Sequence, residues 1–153
     1  RYGYEKDYET WKKTIQGGFI EVVKVPATLY QRPPAAGNIY VSDWKMHRVR
    51  KWAPGATVGT TVAGGNLKGA AANQLNIPSD IFVDAAGNIY VCDSQNSRVQ
   101  KWAPGATSGV TVAGGNGPGT AFYQVNSETI FVDSKGNIYL VDAANNRISK
   151  WTQ

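Results

Sequence analysis

"GNIYVCDSQNSRVQKW" spans residues 87–102, and its skeleton is written three times along the chain. "GNIY" begins at Gly37, Gly87 and Gly136, and "KW" falls at Lys51-Trp52, Lys101-Trp102 and Lys150-Trp151. "KWAPGAT" and "TVAGGN" each occur twice, so the period is 50 residues and then 49. Self-similarity on this scale marks a repeat architecture, in which each unit buries its apolar face against the next.

One period holds four short apolar runs separated by turns. "IFVD" (81–84) is β-branched and aromatic, and "AAGN" follows as a turn in which Gly87 is expected at positive φ. "NIYVCD" (88–93) alternates Ile89 and Val91 with Tyr90 and Cys92, the period of two that a strand requires. "RVQKW" (98–102) alternates again, "APGAT" is a Pro-Gly turn, and "GVTVAGG" (109–115) supplies a fourth strand. The spacing of three and four that a helical solenoid needs is absent. Four antiparallel strands per period describe one propeller blade, so the fold class is all-β: a partial β-propeller of about three four-stranded antiparallel blades.

The core "GNIYV-D-x(4)-R-V/I-x-K-W" resembles the NHL repeat, whose members form β-propellers, typically of six blades. The resemblance covers residues 35–153 and places blades at about 35–66, 78–115 and 127–153. It says little about chemistry, because NHL propellers include protein-binding, RNA-binding and sensor modules and relatives of amidating lyases.

Two places depart from the pattern. Gln31-Arg32-Pro33-Pro34 stands where the next repeat has Ile81-Phe82-Val83-Asp84, and paired prolines do not make a central strand. At the other end the sequence stops at Gln153, after the third strand of the third blade. Propellers close with at least about four blades. The repeat count therefore predicts either a piece of a larger propeller or copies that associate, two three-bladed chains making a homodimer that completes a ring. Residues 1–34 do not repeat. There "DYETWKKTIQGG" puts Tyr8, Trp11 and Ile15 on one helical face and predicts a short helix, and "FIEVVKV" (19–25) predicts a strand that replaces the lost opening strand or covers a blade edge.

The 153 residues suit one domain or one short array, and the 42% hydrophobic fraction with five Trp and eight Tyr suits a packed core. No run approaches the roughly 18 apolar residues of a membrane helix, so no membrane role is expected. The net charge of +5 is dispersed: residues 1–34 carry six of the 16 basic and four of the 11 acidic side chains, leaving ten and seven for the rest. That argues against a dense nucleic-acid patch. One cysteine, Cys92, forms no internal disulfide or thiolate zinc cluster, and at a strand position matched by Ser42 and Val141 it reads as a packing residue. The compartment stays undetermined, since Asn-x-Ser/Thr sites are absent and redox usage is silent.

Repetition separates wall from site. Asp43, Asp93 and Asp142 each precede an arginine by five positions, at Arg48, Arg98 and Arg147, and with Trp52, Trp102 and Trp151 they recur in every blade, which assigns them to structure. Asp84 and Asp133 lack the further carboxylates of a calcium loop and read as turn acceptors. "AGGNGPG" (113–119) lacks the Lys-Ser/Thr of a phosphate loop. The loop that differs is "DWKMHRV" (43–49), with Trp44, Lys45 and the only histidine, His47. Strand alternation places it at the same end as 66–76 and 117–126, the second of which bears Phe122 and Tyr123. Trp44, Lys45, His47, Phe122 and Tyr123 are the expected ligand contacts.

A single histidine supplies neither a multi-histidine zinc site nor a marked catalytic set, so no catalytic residue, metal or cofactor is expected. The function expected is a non-enzymatic NHL-type module that binds a protein or small ligand through its loop face. Two alternatives come from the resemblance. One is a fragment of a propeller lyase or hydrolase; the other is a single-stranded RNA-binding module using Lys45, Arg48 and the loop aromatics.

Overall fold

The computed structural model describes residues 37–126 and 129–152, together with the backbone of four short strands nearer the N-terminus. These four, β1 (Tyr8–Glu9), β2 (Lys12–Ile15), β3 (Gly18–Glu21) and β4 (Val25–Pro26), lie in a unit of residues 1–33. Here the chain departs from the helical reading. Lys12–Ile15 pairs antiparallel with Gly18–Glu21, and β1 pairs with β4. Tyr8, Trp11 and Ile15 satisfy a helical spacing, but so short a helix is marginal in water. Thr14 and Ile15 are β-branched and only two residues, Gln16-Gly17, separate them from the next strand, which favours a hairpin. Nor does β3 complete the first blade, for its partner is β2 in a two-stranded sheet. Residues 22–24 of the expected 19–25 strand, and the prolines at 33 and 34, lie outside the described residues.

Residues 34–153 form the second unit, whose ten strands make three antiparallel sheets. The first sheet is β5 (Ile39–Asp43), β6 (Arg48–Trp52) and β7 (Thr60–Gly64). The second is β8 (Pro78–Val83), β9 (Ile89–Asp93), β10 (Arg98–Trp102) and β11 (Val110–Gly114), and the third is β12 (Thr129–Val132), β13 (Ile138–Asp142) and β14 (Arg147–Trp151). Each strand pairs with its neighbour in sequence. This is a partial propeller of three blades, two three-stranded and one four-stranded.

Repeated sequence produces repeated geometry. Asp43 pairs with Arg48, Asp93 with Arg98 and Asp142 with Arg147 at the mouth of each central hairpin. The register slips at the same place in β6–β7 and β10–β11, so Val62 and Val112 are extra residues on the last strand. Gly87 takes φ +84 as its turn requires.

The core lies between the sheets. Ile89, Val91 and Trp102 of the second blade pack with Val49, Ala63 and Leu75 of the first blade and its linker. From the opposite face Tyr90, Cys92, Val99 and Ala113 pack with Ile130, Val132, Ile138 and Leu140 of the third. The alternation along β9 thus serves two interfaces, and Cys92 is buried in the second of them. Among the described residues no helix is long and apolar enough to cross a membrane.

Candidate functional site

At one end of each blade the central hairpin turns. After Asp93 the chain makes one 3-10 turn, Ser94–Asn96, and Ser97 closes it in the left-handed region at φ 49°. Asn146 does the same after Asp142. The Asp93 carboxylate, wholly buried, accepts from Arg98 Nε at 2.8 Å, Asn96 Nδ2 at 2.8 Å and the Asn76 amide at 2.6 Å. Arg98 then donates from Nη1 to Ala70 O at 2.8 Å and from Nη2 to Ala71 O at 3.0 Å and Gln74 O at 3.1 Å. In the third blade Arg147 pairs with Asp142 at 2.8 Å and forks onto Thr120 O, Ala121 O and Gln124 O at 2.7, 3.0 and 2.8 Å. Each guanidinium thus divides its bonds between its own aspartate and three carbonyls of the preceding linker, which holds that linker against the blade. The pair is a clamp.

The linkers carry their own scaffold. Gln74 donates to Asn66 O at 2.8 Å and accepts from the Ala71 amide at 3.3 Å; Gln124 accepts from Ala121 at 3.3 Å and donates to Asn116 O at 3.3 Å and Pro118 O at 3.1 Å. A Cβ at Gly69 or Gly119 would fall onto these glutamine amides, so a side chain there would displace the bridge. The loops are thus fixed in shape by their own polar groups.

His47 occupies the position of Ser97 and Asn146, at φ 52°. Its carbonyl accepts from the Gly65 amide at 3.0 Å and its Nδ1 from the Ile77 amide at 3.1 Å. Ile77 is a β-branched residue at φ 52°, a conformation that costs on the order of 1–3 kcal/mol and persists only where the surroundings hold it. His47 is one of the groups that hold it. Among the expected ligand contacts, His47 is therefore engaged inside the scaffold.

The others project. Trp44 is 54% exposed, with Lys45 Nζ 5.4 Å from its ring centre, and Met46 beside them is also exposed. Phe122 is 92% exposed and Tyr123 follows it, where the first linker has Ala72 and Asn73. Trp44 rises from the first blade, whereas Phe122 and Tyr123 sit on the linker clamped by the third, and among the described residues no ring contact joins them. Sequence reasoning passed over Leu67. It is exposed at φ 65°, in the place that Gly117 fills at φ 73° in the next linker. The signal was available: a leucine standing where the other copy has glycine, at a tip that needs positive φ.

Residues 75–102 match the family model of the NHL repeat. This segment is an NHL repeat. It runs from the end of the first linker through the first three strands of the second blade, the stretch where both faces of the sheet are covered. No curated protein matches the chain.

The opposite end of the NHL blade, and of the third blade, is closed by an aspartate. Asp84 accepts from Asn88 N at 2.8 Å and Asn88 Nδ2 at 2.7 Å; Asp133 accepts from Asn137 Nδ2 at 2.7 Å, Asn137 N and Lys135 N at 2.9 Å and Tyr139 Oη at 3.2 Å. Both are turn acceptors. The Asn137 side-chain bond, with the two amides and the Tyr139 hydroxyl, holds the Asp133 carboxyl below its ordinary value against a smaller opposing effect of desolvation. A carboxyl depressed by folding adds stability above its unfolded value and loses it as pH falls toward its folded value. Melting temperature should therefore fall more steeply below about pH 4 in the natural protein than in Asp133→Asn. Parallel slopes for the two proteins would remove Asp133 as a source of acid sensitivity. Among the described residues no three His, Cys, Asp or Glu side chains converge as metal ligands would.

Proposed function

We propose that this propeller-like NHL module is a non-enzymatic binding protein whose partner is another protein, met at the end of the blades that carries the clamped linkers. The observation that carries the reading is the contrast at that end: clamps and glutamine bridges fix the two linkers, and Asp43 and His47 hold the first hairpin loop, yet Leu67, Phe122 and Tyr123 stand out of the linkers and Trp44 and Met46 out of that loop. Large apolar side chains presented from a rigid frame are how interfaces concentrate binding energy, because little entropy is lost on docking. Trp44 with Lys45 beside its ring is suited to an acidic or aromatic contact, and Phe122 to an apolar pocket.

The test is comparative. Proteins retained by the natural chain and lost by a Trp44→Ala/Phe122→Ala variant are identified, and one is purified for titration. A hot-spot truncation of about 2 kcal/mol predicts roughly 30-fold weaker binding. Equal affinity of the two proteins for every partner would sink the proposal. A labelled single-stranded RNA titrated at several salt concentrations separates the RNA reading, which demands affinity that falls as salt rises.

A further inference from the structure

The two linkers are built alike, yet they differ at a step that bears on the covalent chemistry of the chain. Asn66 is followed by Leu67, whereas Asn116 is followed by Gly117, the one Asn-Gly step in the sequence. Asparagine is a chemically labile side chain. The backbone nitrogen of the next residue can reach its side-chain carbonyl carbon and close a five-membered ring. A side chain on that next residue opposes closure, because it crowds the nitrogen and limits the backbone rotations that the ring requires. Glycine removes both restraints.

The surroundings favour closure at Asn116. The residue is exposed, so water and base reach it. Gly117 stands at φ +73, and beyond its chain neighbours no atom lies within 4 Å of where its Cβ would be. The bridge that fixes the asparagine is also longer than in the first linker. Asn116 Nδ2 donates to Tyr123 O at 3.2 Å, where Asn66 Nδ2 donates to Asn73 O at 2.9 Å; its other contact, to Gly114 O, is 3.5 Å. Gln124 Nε2 donates to Asn116 O at 3.3 Å and shares itself with Pro118 O, where Gln74 reaches Asn66 O at 2.8 Å. Elsewhere in the blades Asn88, Asn96, Asn137 and Asn145 give their side-chain amides to aspartates, and none precedes a glycine.

We propose that Asn116 is a site of spontaneous deamidation, and that the change loosens the linker that presents Phe122 and Tyr123. The Gly117 nitrogen, having given its proton to solvent base, attacks Asn116 Cγ. The N–Cγ bond forms, the Cγ–Nδ2 bond breaks, and Nδ2 takes a proton from water and leaves as ammonia. Water then opens the succinimide, giving aspartate by addition at Cγ and isoaspartate by addition at the backbone carbonyl carbon. Either product loses the Nδ2 donor and gains a carboxylate. In aspartate the new oxygen faces the Tyr123 carbonyl, acceptor against acceptor. In isoaspartate the main chain gains a carbon before Gly117, which shifts the carbonyl on which Gln124 rests. The modification and its local effect stand apart from the protein-binding reading; only a consequence for a partner rests on it.

The folded natural chain is kept in mildly alkaline buffer and its peptides are followed by mass spectrometry. The peptide with Asn116 should gain the mass of one amide-to-acid exchange and separate into two acidic products, while the peptide with Asn66 stays unchanged. Conversion should quicken as pH rises, because the attacking nitrogen must lose its proton. Gly117→Leu copies the first linker, where Leu67 is accommodated at φ 65, and should abolish the conversion over the same interval. An Asn116 that keeps its amide in the natural chain, or loses it equally in Gly117→Leu, would overturn the proposal. For the local effect, Asn116→Asp should speed hydrogen exchange of the backbone amides of 117–124 and leave those of 67–74 as they were. Unchanged exchange at 117–124 would overturn the loosening.

Discussion

Replacing Asp93 by alanine should cost about 3–5 kcal/mol, the usual penalty for breaking a buried ion pair by removing one member. The carboxylate is fully buried and receives Arg98, Asn96 and the backbone of Asn76. Its loss strands a nearly buried guanidinium, an amide and a backbone N–H together. The same substitution at Asp43 should cost no more than about 1 kcal/mol, because that pair is 26% exposed on both sides and spans 3.1 Å. Urea midpoints of the two variants, with unchanged slopes, would measure the difference directly. Equal losses would mean that the motif itself, and not its burial between blades, sets the energy.

Trp102→Ala carries the other large effect, also about 3–5 kcal/mol. The indole is 2% exposed in the seam between the first and second blades, packed with Val49, Ala63 and Leu75. It is also fitted to its own blade, since a Cβ on Gly109 would fall into the ring. Neither element can slide to fill the space, because the linker between them is held by Arg98 and Asn96. Trp44→Ala should change stability by less than about 0.5 kcal/mol, as expected of an exposed side chain outside the core. A loss at Trp44 as large as that at Trp102 would place the first hairpin loop inside the fold and end its candidacy as a contact surface.

The candidate site was partly legible beforehand. Trp44, Phe122 and Tyr123 break the repeat, and a residue that the repeat does not require is free to project. His47 also breaks it, yet it is bonded to Ile77, thirty residues away. No local pattern reports that contact. Leu67 escaped notice for the opposite reason: its oddity is conformational, and shows only when its φ is set beside that of Gly117.

What the sequence determined by itself is the blade. Alternation of period two, Pro-Gly turns, the Asp–Arg spacing and the fifty-residue recurrence are local or periodic properties, and three antiparallel sheets with matching register follow from them. Tertiary structure decided what each repeated residue does. Ile39 and Ile89 are the same letter in the same strand position, but one meets solvent and the other a neighbouring blade. At the N-terminus, Lys12–Ile15 carries a spacing compatible with a helix and becomes a strand because Gly18–Glu21 is there to pair with it. Burial and pairing are relations between segments, and a segment read alone contains only half of each.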